Sequence, residues 1–394
     1  MDTKEFIQQY AVDRAGTRSL KWDALGERFH DSDLISMWVA DMEFRTCDEI
    51  LAAMQERIRH GVFGYSYIDD DYYSAFFDWE EKRHAFRPRK EWVRFATGVV
   101  GALYWLVNAF TQPQDSVIIL TPVYYPFRNA VQDTGRHLVT CDLINTGGYF
   151  TIDYDAFETA IVEHGVKLFI QCSPHNPVGR VWTEEELDRV MGICARHNVL
   201  IVSDEIHQDI IVGEKKQIPA AIIAGGKYRG GLITVTAASK TFNLASLLHS
   251  HIIISDDDLR AAYDAYAKTI HQAETNLMGA IATQAGYRCG EEWLDHVLDV
   301  VRQNYEYLKR ELNEKLPSVV ISPLEGTYLC LLDLRALVPP DQTRAFIQDR
   351  CRLAVDYGEW FGANFKGFVR LNLATEPRYV ETAVANIIRE AGKL

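Results

Sequence analysis

Short runs of uninterrupted apolar residues punctuate the middle of the chain: SVIIL (116–120), VKLFIQC (166–172), NVLIVS (198–203), GLITV (231–235) and HIIIS (251–255). Runs of this length, rich in Val, Ile and Leu and without polar alternation, predict strands covered on both faces. Between several of them the apolar period lengthens to that of a helix. In TEEELDRVMGICARHN, Thr183 is placed to cap, acids fill the first turn, and Leu187, Val190, Met191 and Cys194 share one stripe. Strands alternating with helices predict an α/β domain around a mainly parallel sheet.

From about residue 285 the texture changes. A long helical pattern, EEWLDHVLDVVRQNYEYLKRELNEKL, leads into SVVIS, TYLCLLDL, another helix and GFVRLNLA, the order expected of a smaller α+β domain. The first 45 residues are rich in Trp and charge and read as an irregular arm contributing to that smaller domain. The expected organisation is therefore 1–45 as arm, 46–284 as large α/β domain and 285–394 as small domain.

Composition narrows the chemistry. The chain has 394 residues, 47% of them hydrophobic and 24% charged, an ordinary globular balance. A formal net charge of −14 argues against nucleic acid or an anionic membrane as partner. The seven cysteines are scattered and contain no C-x-x-C pair, which fits free thiols in a reducing compartment and no zinc site. The N-terminal stretch has no apolar core of a signal peptide, and no run approaches the ~18 apolar residues of a membrane span. A cytoplasmic protein is the expectation.

Ligands of open α/β sheets bind beyond the carboxyl ends of the strands. There the sequence places TPVYYPF, SPHNPVG, SDEIH and TAASK, each directly after an apolar run. Lys240 is either a strand-terminal lysine reaching solvent or a buried amine that forms a Schiff base with a carbonyl. Asp204 either caps a turn or pairs with a buried cation such as a protonated pyridine nitrogen. Asn176 suits a turn, and equally a hydrogen bond to a phenolic oxygen. Tyr124 suits the core, and equally a stacking platform. Gly98 and Gly101 in ATGVVGALYWLV flank an apparent helix start, where free N–H groups could hold a phosphate. Arg370, in the middle of a strand, either faces solvent at an edge or holds a carboxylate with two hydrogen bonds.

The order of these segments is a familiar one. MWVADMEF (37–44), SPHNPVGRVW (173–182), SDEIHQDI (203–210) and SKTFNLASL (239–247) resemble the MalY/PatB branch of cystathionine β-lyases, or C–S lyases. That branch lies within the class I/II aminotransferase superfamily of fold-type I pyridoxal 5′-phosphate enzymes. The resemblance runs from about residue 30 to 380. It implies the fold-type I α/β architecture, pyridoxal 5′-phosphate as cofactor, and Lys240 as its Schiff-base residue. It implies Asp204 at the pyridine nitrogen, Asn176 at the phenolic oxygen, Tyr124 stacked on the ring, and His207 beside it. Val99 and Val100 N–H groups with the Ser239 hydroxyl would hold the phosphate. Arg370 would bind the substrate α-carboxylate, with Asn176 and Tyr125 also in the substrate-binding set. Tyr65 matches a tyrosine lent to the neighbouring subunit, which implies a homodimer with shared sites.

The sequence departs from ordinary aminotransferases at two points. His207 stands where they often carry tyrosine, as in the lyase branch, and no arginine follows Lys240 closely, only His249 and His251. The expected reaction is β-elimination from a small L-amino acid bearing sulfur on Cβ, giving thiol, pyruvate and ammonia. Transamination is the alternative, because it shares the early steps.

Overall fold

The computed structural model describes residues 1–272 and 275–394. Each apolar run becomes a strand, its ends shifted by one or two residues: Ser116–Thr121, Leu168–Cys172, Leu200–Asp204, Leu232–Thr236 and Ser250–Ile254. Two further strands join them, Val93–Ala96 and His137–Asp142. The second is an edge strand with alternating burial, so no continuous apolar run announces it.

Across the sheet the order is Val93–Ala96, Ser250–Ile254, Leu232–Thr236, Leu200–Asp204, Leu168–Cys172, Ser116–Thr121, His137–Asp142. The five from Leu232–Thr236 to His137–Asp142 run parallel, while Ser250–Ile254 lies antiparallel to both its neighbours. Register brings Cys172 opposite Asp204 and Asp204 opposite Val235, so these strands end level at one edge. Asn176, His207 and Lys240, which follow those ends, line one crevice with Asp204.

The Glu184–Arg196 helix forms as its sequence predicts. Thr183 accepts from Glu186 N–H (3.2 Å) and Glu186 returns a bond to Thr183 N–H (2.9 Å), a capping box worth about 1 kcal/mol. Its buried stripe includes Leu187, Val190, Met191 and Cys194.

The long C-terminal pattern is the Glu291–Lys315 helix, followed by an antiparallel sheet ordered Val320–Ile321, Leu329–Asp333, Phe368–Asn372, Asp356–Tyr357. Phe368–Asn372 is an inner strand, so Arg370 does not face solvent from an edge. The N-terminal segment is more regular than expected. Asp2 and Glu5 exchange capping bonds (2.8 and 2.9 Å) and open a helix, Thr3–Tyr10, whose Phe6 packs on Trp293. Ile35–Ser36 then pairs in parallel with Leu353–Ala354, tying the arm to the C-terminal part of the chain. Among the described residues no helix is long and apolar enough to cross a membrane.

Candidate active site

Lys240 does not close a strand. The strand ends at Thr236, and Lys240 sits in a single helical turn, Ala238–Thr241, that points it into the crevice. Behind it, Thr241 Oγ1 donates to Asp209 Oδ2 (2.7 Å), and Asp209 Oδ1 takes bonds from Trp79 Nε1 (3.0 Å) and His84 Nε2 (2.9 Å). This buried anchor fixes the turn. Lys240 Nζ donates to the Ala40 carbonyl (2.7 Å), which also accepts from Tyr328 Oη (2.9 Å). Burial pushes the Lys240 amine down to about 8, Asp41 and Asp204 opposing and Arg370 reinforcing.

The Ala40 carbonyl belongs to the strap MWVADMEF, which is held from several sides. Asn243 accepts from Met42 N–H (3.1 Å) and donates to the Met42 and Phe44 carbonyls (3.0 and 2.9 Å). Lys21 and Glu43 form a buried ion pair at 2.7 Å beneath it.

Lys240 opens onto a cavity of about 850 Å³, counted to its open mouth. Tyr124, Asn176, Asp204 and His207 line it with Lys240, as do Val99, Val100 and Ser239. Asp204 is the last residue of its strand and is buried. Among the described residues its carboxylate accepts one hydrogen bond, from Ile206 N–H (3.0 Å). Burial pushes it up to about 7, against that bond and the Lys240 charge. A carboxylate so placed asks for a cation in the cavity.

Asn176 Oδ1 accepts from Arg370 Nη1 (3.0 Å), while its Nδ2 hydrogens have no partner among the described residues and are free to donate. Its carbonyl takes the Tyr124 N–H (3.1 Å), which seats the tyrosine ring beside the turn. That turn needs Gly179: its φ of +73° is left-handed, and a Cβ there would meet the Pro323 carbonyl at 2.9 Å. His207 packs edge-on to Tyr328 with centroids 5.9 Å apart. Burial, with the Lys240 and Arg370 charges, drives its pKa well below the ordinary value, so the ring is neutral.

Gly98, with φ +93°, lines the same cavity and precedes the Val99–Phe110 helix. The first N–H groups of that helix have no intrahelical acceptor and carry its positive dipole end. They share the cavity wall with Ser239, Thr97 and Gly101, a donor set of the kind that suits an anion. His249 reaches the same wall, but both its nitrogens are engaged elsewhere, Nε2 with Tyr72 Oη (2.5 Å) and Nδ1 with Thr275 Oγ1 (2.6 Å). His251 binds the other side of Tyr72 Oη at 2.6 Å. Neither histidine stands in for a phosphate-binding arginine.

Arg370 is buried and reaches Asn176, the Trp38 carbonyl (2.8 Å) and Asp356. Tyr125 lies beside Tyr124 (centroids 5.3 Å) and outside the cavity wall, under the field of Asp356 and Arg370. Tyr65 is not brought to this cavity: it is 97% exposed. The Ala40 carbonyl, Thr97, Tyr328 and Asp356 were not among the residues expected here. The strap was visible as a motif, but a backbone acceptor carries no residue signature.

A family model for aminotransferase class I and II matches residues 32–387. The chain belongs to the class I and II aminotransferase family. Within the family it is 37% identical over 364 residues to cystathionine beta-lyase PatB of Bacillus subtilis (strain 168), covering 91% of this chain and 93% of that protein. It is 31% identical over 381 residues to Protein MalY of Escherichia coli (strain K12), covering 96% of each. Among solved structures, the PLP-bound C–S lyase of Staphylococcus hominis superposes with a TM-score of 0.90 at 32% identity, over 96% of each chain. The architecture is the fold-type I α/β fold expected from the sequence.

The cavity's donor set fits pyridoxal phosphate, with an amine for the aldehyde and a buried carboxylate for the ring nitrogen. A free amide and a helix N-terminus suit the phenolic oxygen and the phosphate.

Proposed function

We propose that this chain is a pyridoxal 5′-phosphate-dependent carbon–sulfur β-lyase, acting on cystathionine or related S-substituted L-cysteines and releasing thiol, pyruvate and ammonia. One observation carries the reading. A lysine amine drawn down to about 8 shares one cavity with Asp204 and Asn176, on a chain that matches a cystathionine beta-lyase over 91% of its own length and 93% of the relative's.

Bound there, pyridoxal phosphate supplies the electron sink for the pair left when the Cα–H bond breaks. The protein supplies the rest. Lys240 Nζ anchors the cofactor at rest, then takes the Cα proton as general base, a role its depressed pKa suits near neutral pH. Asp204 holds the ring nitrogen in its protonated form. Asn176 Nδ2 donates to the phenolic oxygen, and Tyr124 presents its ring as a stacking surface. His207, neutral and packed on Tyr328, closes the pocket beside them. The N–H groups of Val99 and Val100 with Ser239 Oγ hold the phosphate. Arg370 takes the substrate carboxylate, with Asn176 and Tyr125 as neighbours.

Elimination is distinguished from transamination by its products. Incubation with L-cystathionine and no added keto acid is expected to release thiol and pyruvate in equal amounts over many turnovers. An absolute requirement for a keto-acid acceptor would make the chain an aminotransferase instead.

The working form is a homodimer in this reading. Residues 61–67 support it, because Phe63, Tyr65 and Tyr67 are 60%, 97% and 87% exposed, a cluster of rings that a second copy would cover. Sedimentation is expected to give twice the 44.9 kDa chain mass. Tyr65→Phe is expected to lower kcat/KM about tenfold while leaving that mass unchanged, the effect of one hydrogen bond lost at a charged group. A monomer of full activity would overturn the shared site. The seven unpaired cysteines support a reducing, cytoplasmic setting.

A further inference from the structure

Arg370 reads as the substrate's carboxylate holder, yet a carboxylate already sits on it. Asp356 lies directly opposite Arg370 across an antiparallel pair, so both side chains project from the same face, and Asp356 Oδ2 accepts from Arg370 Nη2.

The donor count of the guanidinium makes this contact consequential. Two-point binding of a carboxylate uses either the Nε/Nη2 edge or the Nη1/Nη2 edge, because Cδ blocks the third. Both usable edges include Nη2. Its two hydrogens go to the Trp38 carbonyl (2.8 Å) and to Asp356. Nη1 spends one hydrogen on Asn176 Oδ1 (3.0 Å), and Nε has no partner among the described residues. The hydrogens left over, on Nε and Nη1, lie on different edges and cannot grip one carboxylate together. One of the two Nη2 partners has to leave.

The Trp38 carbonyl is the fixed one. Its neighbours are pinned: Met37 N–H donates to the Ala354 carbonyl (2.8 Å), the Met37 carbonyl accepts from Asn372 N–H (2.9 Å), and the Val39 carbonyl accepts from Asn372 Nδ2 (2.6 Å). Asp356 touches Arg370 through one oxygen only, and its Oδ1 is buried without a partner among the described residues. We infer that Asp356 occupies the substrate's place on Arg370 and must leave Nη2 before an α-carboxylate is held at two points, so that Asp356 sets the enzyme's affinity for its substrate.

This rests on the proposed role of Arg370, and the experiment separates the two. The probe is 3-(methylthio)propionate, which carries the carboxylate and the sulfur but no amine and cannot react; its binding to the holoenzyme is measured by calorimetry. Asp356→Asn keeps the shape and removes the charge, and is expected to tighten the probe and lower the KM for cystathionine by about tenfold, since a neutral partner is displaced more easily than a charged one. Asp356→Ser is expected to act in the same direction. If Asp356 instead served to position Arg370, both variants would weaken the probe, and the inference would fall. Should neither variant fold, a crystal structure of the wild-type enzyme with the probe decides: the Asp356–Arg370 contact broken supports the inference, and the contact retained overturns it. Arg370→Lys tests the underlying reading. No change in probe affinity there removes Arg370 as carboxylate holder. A loss there without a gain in Asp356→Asn removes only the role of Asp356.

Discussion

Replacing Lys240 with alanine is expected to lower pyruvate release by about 10⁴-fold, because the same amine serves as attachment point and as base. The variant is also expected to lose the near-visible absorbance of covalently held cofactor, while still binding it weakly through the phosphate cradle and Asp204. If the absorbance and pyruvate release both survive, another group does this work. Lysine ordinarily titrates near 10.5, and here burial holds it at about 8. Below 8 the amine is mostly ammonium and has no lone pair to attack an aldehyde. Covalent attachment of pyridoxal phosphate to the cofactor-free protein is therefore expected to quicken by about tenfold per pH unit up to 8 and to level off above it. Stopped-flow absorbance at a series of pH values checks the break point.

Strand ends were the legible part of this molecule. Continuous apolar runs mark buried parallel strands, the polar residues after them fall at one edge, and Tyr124, Asn176, Asp204, His207, Ser239 and Lys240 do line one cavity, together with residues 98–101 from the glycine segment. What the chain pattern hid falls into three kinds. The first is backbone: the Ala40 carbonyl that receives Lys240 Nζ has no side-chain signature. The second is register. Asp356 meets Arg370 only because an antiparallel pairing sets them opposite one another, and a shift of one residue would send the acid to the other face. The third is competition for partners. His249 follows the lysine closely enough to suggest a phosphate ligand, but Tyr72 and Thr275 take both its nitrogens. The N-terminal helix was legible, since the D-x-x-E of DTKE is itself a capping signature lying beneath the charge-rich texture.

Asp204→Asn is expected to cost about 10³-fold in kcat, the equivalent of roughly 4 kcal/mol for a buried charge pair broken on one side. In the protein alone this carboxyl is pushed up to about 7, because burial outweighs the Ile206 hydrogen bond and the Lys240 charge. A pyridinium nitrogen against it would favour the ionised form, and by reciprocity the carboxylate would keep that nitrogen protonated. Asparagine preserves the volume and one acceptor but removes the charge that does this. The same residue predicts a stability effect that does not depend on turnover. A carboxyl whose folded pKa is raised from 3.8 to about 7 binds more protons folded than unfolded between those values. Its contribution is therefore present below about pH 4 and is lost as pH rises through 7. Cofactor-free wild type and Asp204→Asn should then diverge with pH, the variant gaining Tm relative to wild type from pH 4 to 7. A constant difference across that range would show that Asp204 is already paired within the protein and is not waiting for a cation. Adding pyridoxal phosphate should reverse the order at pH 7, because only the wild-type carboxylate then finds its partner.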